Sequence, residues 1–412
     1  ASGLAEDSEN VAITSAGALD VALNGSGRVL ANGPSAAASA VAASGNNVFV
    51  AGTSQSTTDS DFVVAKFVVS GNTASLSWIQ TVDVGSTRDV AHGLAVDASG
   101  NVLVVGTTVE SGRDHVAVVR LLGTNGGADG SFGDAGVVKT SVGSLGDSGH
   151  AVSIQPNGQI LVVGASRRAS GSGEVSDMLA IRYDSSGAEQ ASNTFNFNSK
   201  RGDAEGDDAA YAVVATSSVA YVAGYGRAGR YLNMAFARME SDLSVSSGTQ
   251  TLIDFGENHH DVANAIAVSG SNVYLGGYTR KGNQNVFAVA RLSTSGALQN
   301  QGTLAFDGEN NGVVKGLVIQ EDGKVLAIGY AGEEGYGNAF AVARFSATLT
   351  PDLAFATNGR LKLHLGDGAD EAAGGVLVGS GTSRRLIVAG STALPTSGNP
   401  KSLAAARFNV AD

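Results

Sequence analysis

Residues 89–140, DVAHGLAVDASGNVLVVGTTVESGRDHVAVVRLLGTNGGADGSFGDAGVVKT, alternate short apolar, β-branched runs with clusters of small and polar residues. The runs predict four strands: a over 91–96, b over 102–105, c over 116–121 and d over 136–140. Ala98-Ser99-Gly100 supplies the tight turn between the first two, and similar turn chemistry returns at Ser44-Gly45-Asn46, Asn157-Gly158, Ser271-Asn272 and Asp322-Gly323. No helical periodicity of useful length interrupts the pattern.

Two markers show that the unit repeats. A glycine closes strand b at Gly52, Gly106, Gly164, Gly224, Gly277, Gly329 and Gly390, in steps of 54, 58, 60, 53, 52 and 61 residues. A cation then stands inside an apolar strand c, 14 to 18 residues later: Lys66, Arg120, Arg182, Arg238, Arg291, Arg344 and Arg407. Five of the contexts are near copies: AVVRL, AFARM, AVARL, AVARF and AAARF. A period of about 56 residues suits a four-stranded blade, so seven marked units predict an all-β, seven-bladed β-propeller.

The ends of the chain complement each other. The pattern D-x-x-Φ-x-x-x-G-x-Φ (Φ apolar) precedes strand d at 129–138 and 352–361, and it also occurs at 20–29, ahead of the first complete unit. The last unit stops after strand c, so residues 12–36 are expected to supply its outermost strand. Closing the ring in this way protects sheet edges that would otherwise pair with other chains. One domain over 12–412 follows, with blades beginning near 37, 89, 147, 208, 261, 312 and 371, and with 1–11 as a loose leader. The chain begins Ala1-Ser2-Gly3 with no initiator methionine, as expected after removal of a leader.

The D-x-A that opens strand a, G-x-Φ-Φ-Φ-x-G through strand b, A-x-A-R-Φ in strand c and D-x-x-F-G-x-x-G-x-V before strand d together resemble the delta-sixty and related seven-bladed repeats of secreted and cell-surface bacterial proteins. The likeness extends over 12–412, although the last motif is complete only in unit two and units three to five depart from it. It implies an extracellular scaffold with diverse ligands. WD dipeptides, the sialidase-type box and kelch double glycines are missing.

Composition narrows the chemistry. The 57 glycines against 5 prolines fit short strands and tight turns, and the absence of cysteine removes thiol catalysis and thiolate metal sites. A formal charge of −12 argues against nucleic acid or an anionic membrane as partner. No apolar run approaches the roughly 20 residues of a membrane-spanning helix. Neither a P-loop, G-x-S-x-G, H-E-x-x-H nor a dinucleotide fingerprint is present.

The repeated strand-c cation is read as structural, bonded to backbone carbonyls or to an acid of the adjacent blade, because one ligand has no use for seven equivalent cations. At the start of strand a, a column of Asp89, Asp147, Asp208, Asp261 and Glu371, with Ser35 and Gly312 in the other two blades, is expected around the channel mouth. Each acid either caps its own connecting loop or helps to hold a cation or polar ligand over the channel. Three residues on stand His92 and His150, with Tyr211, Asn264 and Lys315 in the following blades. Adjacent imidazoles beside Asp89 and Asp147 are a candidate transition-metal or acid–base site, against which stands plain packing between blades.

Alternating acids at Asp203, Glu205 and Asp207, and at Asp307, Glu309 and Asn311, have the oxygen spacing of a calcium loop, with solvated acidic turns as the competing reading. Calcium is therefore the one cofactor that the sequence suggests. The b–c loops of blades four to six gather Tyr225, Arg227, Arg230, Tyr231, Tyr278, Arg280 and Tyr336, a set suited to stacking on sugars or peptides. His259-His260 is expected at an exposed loop tip. The leading expectation is a secreted or surface-exposed, non-enzymatic propeller that binds a surface polysaccharide or a protein through its loop-rich face. The alternatives are a metal-dependent lyase or hydrolase at the channel mouth, and a self-assembling subunit of a surface layer or filament.

Overall fold

The computed structural model describes residues 16–410 apart from 32, 55–58, 86, 172, 198–205, 257–258, 308–310, 336, 367, 380–383 and 395–399. Its strands form seven four-stranded antiparallel sheets, each ordered a-b-c-d, arranged as a seven-bladed propeller. Blade two, for example, consists of Asp89–Val96, Val102–Glu110, Arg113–Leu121 and Val137–Thr140. The ring closes as the terminal motif predicts. Arg28–Leu30 pairs antiparallel with strand c of blade seven, Lys401–Asn409, in the register Arg28↔Ala406 to Leu30↔Ala404.

Apolar packing lies between blades rather than inside them. One cluster joins Phe49, Phe62 and Val64 of blade one to Val102, Val104 and Ala117 of blade two, and the other six clusters bridge the remaining junctions in the same way. Strands b and c are thus covered on both faces, which is why their sequences read as continuous rather than alternating apolar runs.

The cations of strand c act across the same junctions. Lys66 Nζ donates to the Gly123 carbonyl at 2.8 Å, Arg120 Nη1 to Ser185 at 2.5 Å and Arg291 Nη1 to Ala347 at 2.7 Å. Arg182 reaches Ser241, Arg344 reaches Val410 and Arg407 reaches Gly71, each acceptor lying just beyond strand c of the next blade. Arg238 instead pairs with Glu240 of its own strand. Where the D-x-x-Φ motif is present, its acid binds the same guanidinium: Asp129 to Arg120 at 2.8 Å, Asp352 to Arg344 at 2.8 Å and Asp20 to Arg407 at 2.9 Å. Asp20 comes from the opposite end of the chain, and its equivalence to Asp129 and Asp352 is what the N-terminal motif encodes. The motif also shortens strand d, to Val137–Thr140 and Arg360–Leu363, whereas blades three to five, which lack it, carry longer outer strands such as Val245–Ile253.

Candidate functional site at the channel mouth

The repeated glycine of strand b positions the site. Opposite it, strand a of every blade carries a β-bulge: in blade two Gly106 pairs with Ala91 and Val105 with Gly93, leaving His92 as the extra residue. The bulge presses strand a onto strand b, so that a Cβ on Gly106 would lie 2.0 Å from the Val90 oxygen. No side chain fits there. The bulged residues of blades one to seven are Ser39, His92, His150, Tyr211, Asn264, Lys315 and Ala373. A bulge re-aims the extra residue, and all seven line the central channel.

Three members of this ring tie one blade to the next through the carbonyl that precedes the neighbour's bulge. Ser39 Oγ donates to Ala91 at 2.6 Å, His150 Nδ1 to Ala210 at 2.8 Å and Asn264 Nδ2 to Val314 at 3.1 Å. Because a carbonyl only accepts, Nδ1 of His150 carries the proton, and Nε2, 2.9 Å from Ser148 Oγ, accepts from that hydroxyl. Burial holds its pKa below the usual histidine value against the opposing pull of the Ala210 carbonyl. His92 packs edge-on against His150 with ring centroids 5.2 Å apart. Its ring nitrogens have no hydrogen-bond partner among the described residues. Burial, with the neighbouring His150, Lys315 and Arg88, lowers its pKa to about 3. Both rings are therefore neutral at physiological pH.

On one side of the ring lies a cavity of about 640 Å³, and on the other a smaller one of about 240 Å³. The larger is lined on one arc by tyrosines. Tyr225, Tyr278 and Tyr330 each follow the strand-b glycine in blades four to six, where blades two and three have Thr107 and Ala165. Tyr211 joins them from the bulge ring, 5.7 Å from Tyr225 and 4.9 Å from His150 between ring centroids. Burial raises the pKa of all four phenols, that of Tyr330 to about 12, so they keep their protons. The rest of the lining includes Ala38, Ser39, Ala372 and Ala373, together with Lys315, from the same blade as Tyr330, and Glu371 from the next. Glu371 accepts from Lys401 Nζ and Asn338 Nδ2, both at 2.9 Å; burial works to raise its pKa, but these partners hold it below the usual carboxylate value.

The acid column is corrected by one residue in two blades. The register equates Asp370 and Ala36, rather than Glu371 and Ser35, with Asp89, Asp147, Asp208 and Asp261. These five aspartates are buried and turn to the loop that precedes their own strand. Asp89 accepts from the Val84 and Gly85 amides at 2.6 and 3.0 Å, Asp147 from Val142 and Gly143, Asp208 from Phe197, Asp261 from Phe255 and Asp370 from Leu365. They cap loops, and the structure does not gather Asp89, His92, Asp147 and His150 around one point. Among the described residues the one group with ligand atoms close enough for a metal is Asp61, Asp83 and Asp89, at the junction of blades one and two.

Of the residues expected to bind a ligand, Tyr225 and Tyr278 line the large cavity. Arg227 pairs with Asp207 at 3.3 Å, Arg230 is exposed, and Arg280 is exposed with Nε directed at the Gly282 carbonyl. Tyr231 packs against His260 with centroids 5.5 Å apart, and His260 Nδ1 accepts from the Leu232 amide, so the expected exposed histidine tip is a half-buried contact between blades four and five. In the expected calcium loops, Asp307 is held by Arg360 at 2.9 Å and Asn311 accepts from Asn285 at 3.1 Å. Asp203, Glu205, Glu309 and Tyr336 lie outside the described residues. Sequence reasoning left Tyr211, Tyr330 and Lys315 out of the binding set and offered Glu371 only within the acid column. The signal for Tyr330 was its place directly after the strand-b glycine, shared with Tyr225 and Tyr278.

Among known families, a β-propeller domain of unknown function (DUF5122) matches residues 320–355, the stretch from the end of strand a in blade six to its D-x-x-F motif. No curated protein matches the chain. Solved structures with a similar fold include the polysaccharide lyase Uly1, with a TM-score of 0.50 and 10% identity over 93% of this chain and 91% of that one. They also include Sqt1 of Chaetomium thermophilum, with a TM-score of 0.49 and 13% identity over 92% and 96%. A third is the propeller domain of the trilobed protease of Pyrococcus furiosus, with a TM-score of 0.45 and 10% identity over 92% and 96%. At these identities the likeness is one of fold alone.

Proposed function

We propose that the protein is a non-catalytic, surface-exposed propeller that captures a glycan by taking one sugar unit into the channel mouth. The arc of Tyr211, Tyr225, Tyr278 and Tyr330 on one wall of a single cavity carries this reading. Phenol faces stack on the apolar faces of pyranose rings while their hydroxyls serve the sugar's own. A volume of about 640 Å³ falls within the roughly 300–1,000 Å³ usual for small-molecule sites. The non-catalytic part is supported by the chemistry of the candidates: His150 has both nitrogens engaged, and each buried aspartate accepts from an amide of the loop before its own strand. A location outside the cell rests on the resemblance of the repeats.

An enzymatic alternative has His92 as its candidate, a neutral imidazole facing the cavity without a protein partner among the described residues, although a pKa lowered to about 3 makes it a weak base. A glycan array followed by calorimetry with wild type, Tyr225→Ala and Tyr278→Ala tests the main reading. Micromolar-range binding weakened tenfold or more by either variant is expected. An array without hits, or tyrosine variants that bind like wild type, rejects it. Turnover of a bound glycan that is lost in His92→Gln selects the alternative.

A further inference from the structure

The large cavity contains one cation whose role the fold does not explain. Lys315 is the bulged residue of blade six, so its side chain projects into the channel lumen, where it is solvent-accessible and borders both cavities. Three of its ring-mates tie blades together, but no ion pair or hydrogen bond engages its ammonium among the described residues. The one acid in the cavity lining, Glu371, is already held by Lys401 and Asn338. Burial lowers the Lys315 pKa and Glu371 pulls it back up; with both lysines protonated, Lys315 and Lys401 set two positive charges against one acid, inside a chain with a formal charge of −12. The Lys315 ammonium feels the charge of Glu371 but is hydrogen-bonded to no carboxylate among the described residues, and beside neutral imidazoles and protonated phenols it offers its N–H donors to a negative group placed there.

Resting on the saccharide reading above, we propose that the captured unit is a terminal acidic sugar and that Lys315 receives its carboxylate while the tyrosine arc stacks on its ring. The charge of the whole chain sharpens the class. A surface carrying −12 repels a long polyanion, so the fitting ligand is an otherwise neutral glycan ending in one uronic acid. Lys315 then separates charged from neutral ends, and the aromatic wall supplies the affinity common to both.

The test uses disaccharides capped with glucuronate, galacturonate or mannuronate, each beside its methyl ester, which keeps the ring and removes the charge. Wild type is expected to bind at least one acid roughly tenfold more tightly than its ester, the scale of a charge-assisted hydrogen bond. Lys315→Met should abolish that preference by weakening the acid far more than the ester, with the melting temperature unchanged. Tyr278→Ala should weaken acid and ester alike. Equal binding of acid and ester by wild type, or a preference that survives in Lys315→Met, overturns the role of Lys315 and leaves glycan capture standing. If neither form binds, while neutral glycans bind elsewhere on the array, the acidic-sugar assignment falls. If nothing binds at all, the saccharide reading falls with it.

Discussion

Gly106 and Val90 approach so closely that a Cβ on the glycine would sit 2.0 Å from the Val90 carbonyl oxygen, and the corresponding distance is 1.8–2.3 Å at the other six strand-b glycines. That contact is the imprint of the bulge that turns His92 into the channel. Gly106→Ala must therefore either break the bulge or push the strands apart. We expect a loss of about 3 kcal/mol or more, at the upper end of overpacking effects, together with a changed His92 ring environment in NMR. Gly130, with nothing within 4 Å of its Cβ position and no positive φ, is the control. Gly130→Ala should lie within about 1 kcal/mol of wild type. Equal denaturation midpoints for the two variants would contradict this account.

The strand-c cations separate into buried and surface classes. Arg120 binds Asp129, Ser131 and the Ser185 carbonyl and lies over the Phe132 ring at 4.6 Å, with its side chain 10% exposed. Arg120→Met would leave the Asp129 carboxylate largely buried without its counterion, a change of about 3–5 kcal/mol. Arg238 faces Glu240 with both side chains over 30% exposed, and Arg238→Met should change stability by less than about 1 kcal/mol. Urea titrations of the two variants decide it.

How far the sequence carried this reading depended on whether a feature repeats. The glycines, the strand-c cations and the D-x-x-Φ motif recur, so blade number, ring closure and the inter-blade role of the cations were all legible in them. The bulge was not, because one inserted residue leaves no pattern distinct from a strand. Counting back from the glycine without a fixed register across bulge and loop is what displaced the acid column to Glu371 and Ser35 instead of Asp370 and Ala36. Tyr225 and Tyr278 were visible as aromatics following the glycine. That they share one cavity with Tyr211, Tyr330, Lys315 and Glu371 follows only from the closed ring, which brings together positions more than a hundred residues apart.

His92 should make the protein more sensitive to acid. Its folded pKa, near 3, lies below the ordinary value of 6.5, so the unfolded chain takes up a proton at a pH where the folded protein does not. The associated stability is fully present above about pH 6.5 and is lost progressively as the pH falls toward 3. Between pH 7 and pH 4 the loss should be about 3 kcal/mol. His92→Gln removes it, so the difference in stability between variant and wild type should move in the variant's favour by that amount on acidification. A difference that stays constant between pH 7 and pH 4 would show that His92 does not titrate in this way.

Asp20 is a buried side-chain anchor of the ring closure. Its carboxylate accepts from Arg385 Nε at 3.0 Å and forms an ion pair with Arg407, whose Nε lies 2.9 Å away, and Arg407 is 4% exposed. Beside it, Arg28–Leu30 pairs with the edge of blade seven, and backbone hydrogen bonds of Gly17, Ala18, Asp20, Gly27 and Ala31 to the same strand extend the clasp. Asp20→Ala leaves two arginines without their shared acid, one of them buried, and we expect a loss of about 3–5 kcal/mol. The damage should be local at first. Hydrogen exchange should accelerate in residues 401–409 before it does in blades three to five, because release of the terminal strand exposes that edge. An uncovered edge strand is a template for another chain, so Asp20→Ala should also form dimers or larger species as concentration rises, measured by light scattering on a sizing column. A variant that remains monomeric, with unchanged exchange at 401–409, would show that the clasp is held by something other than this carboxylate.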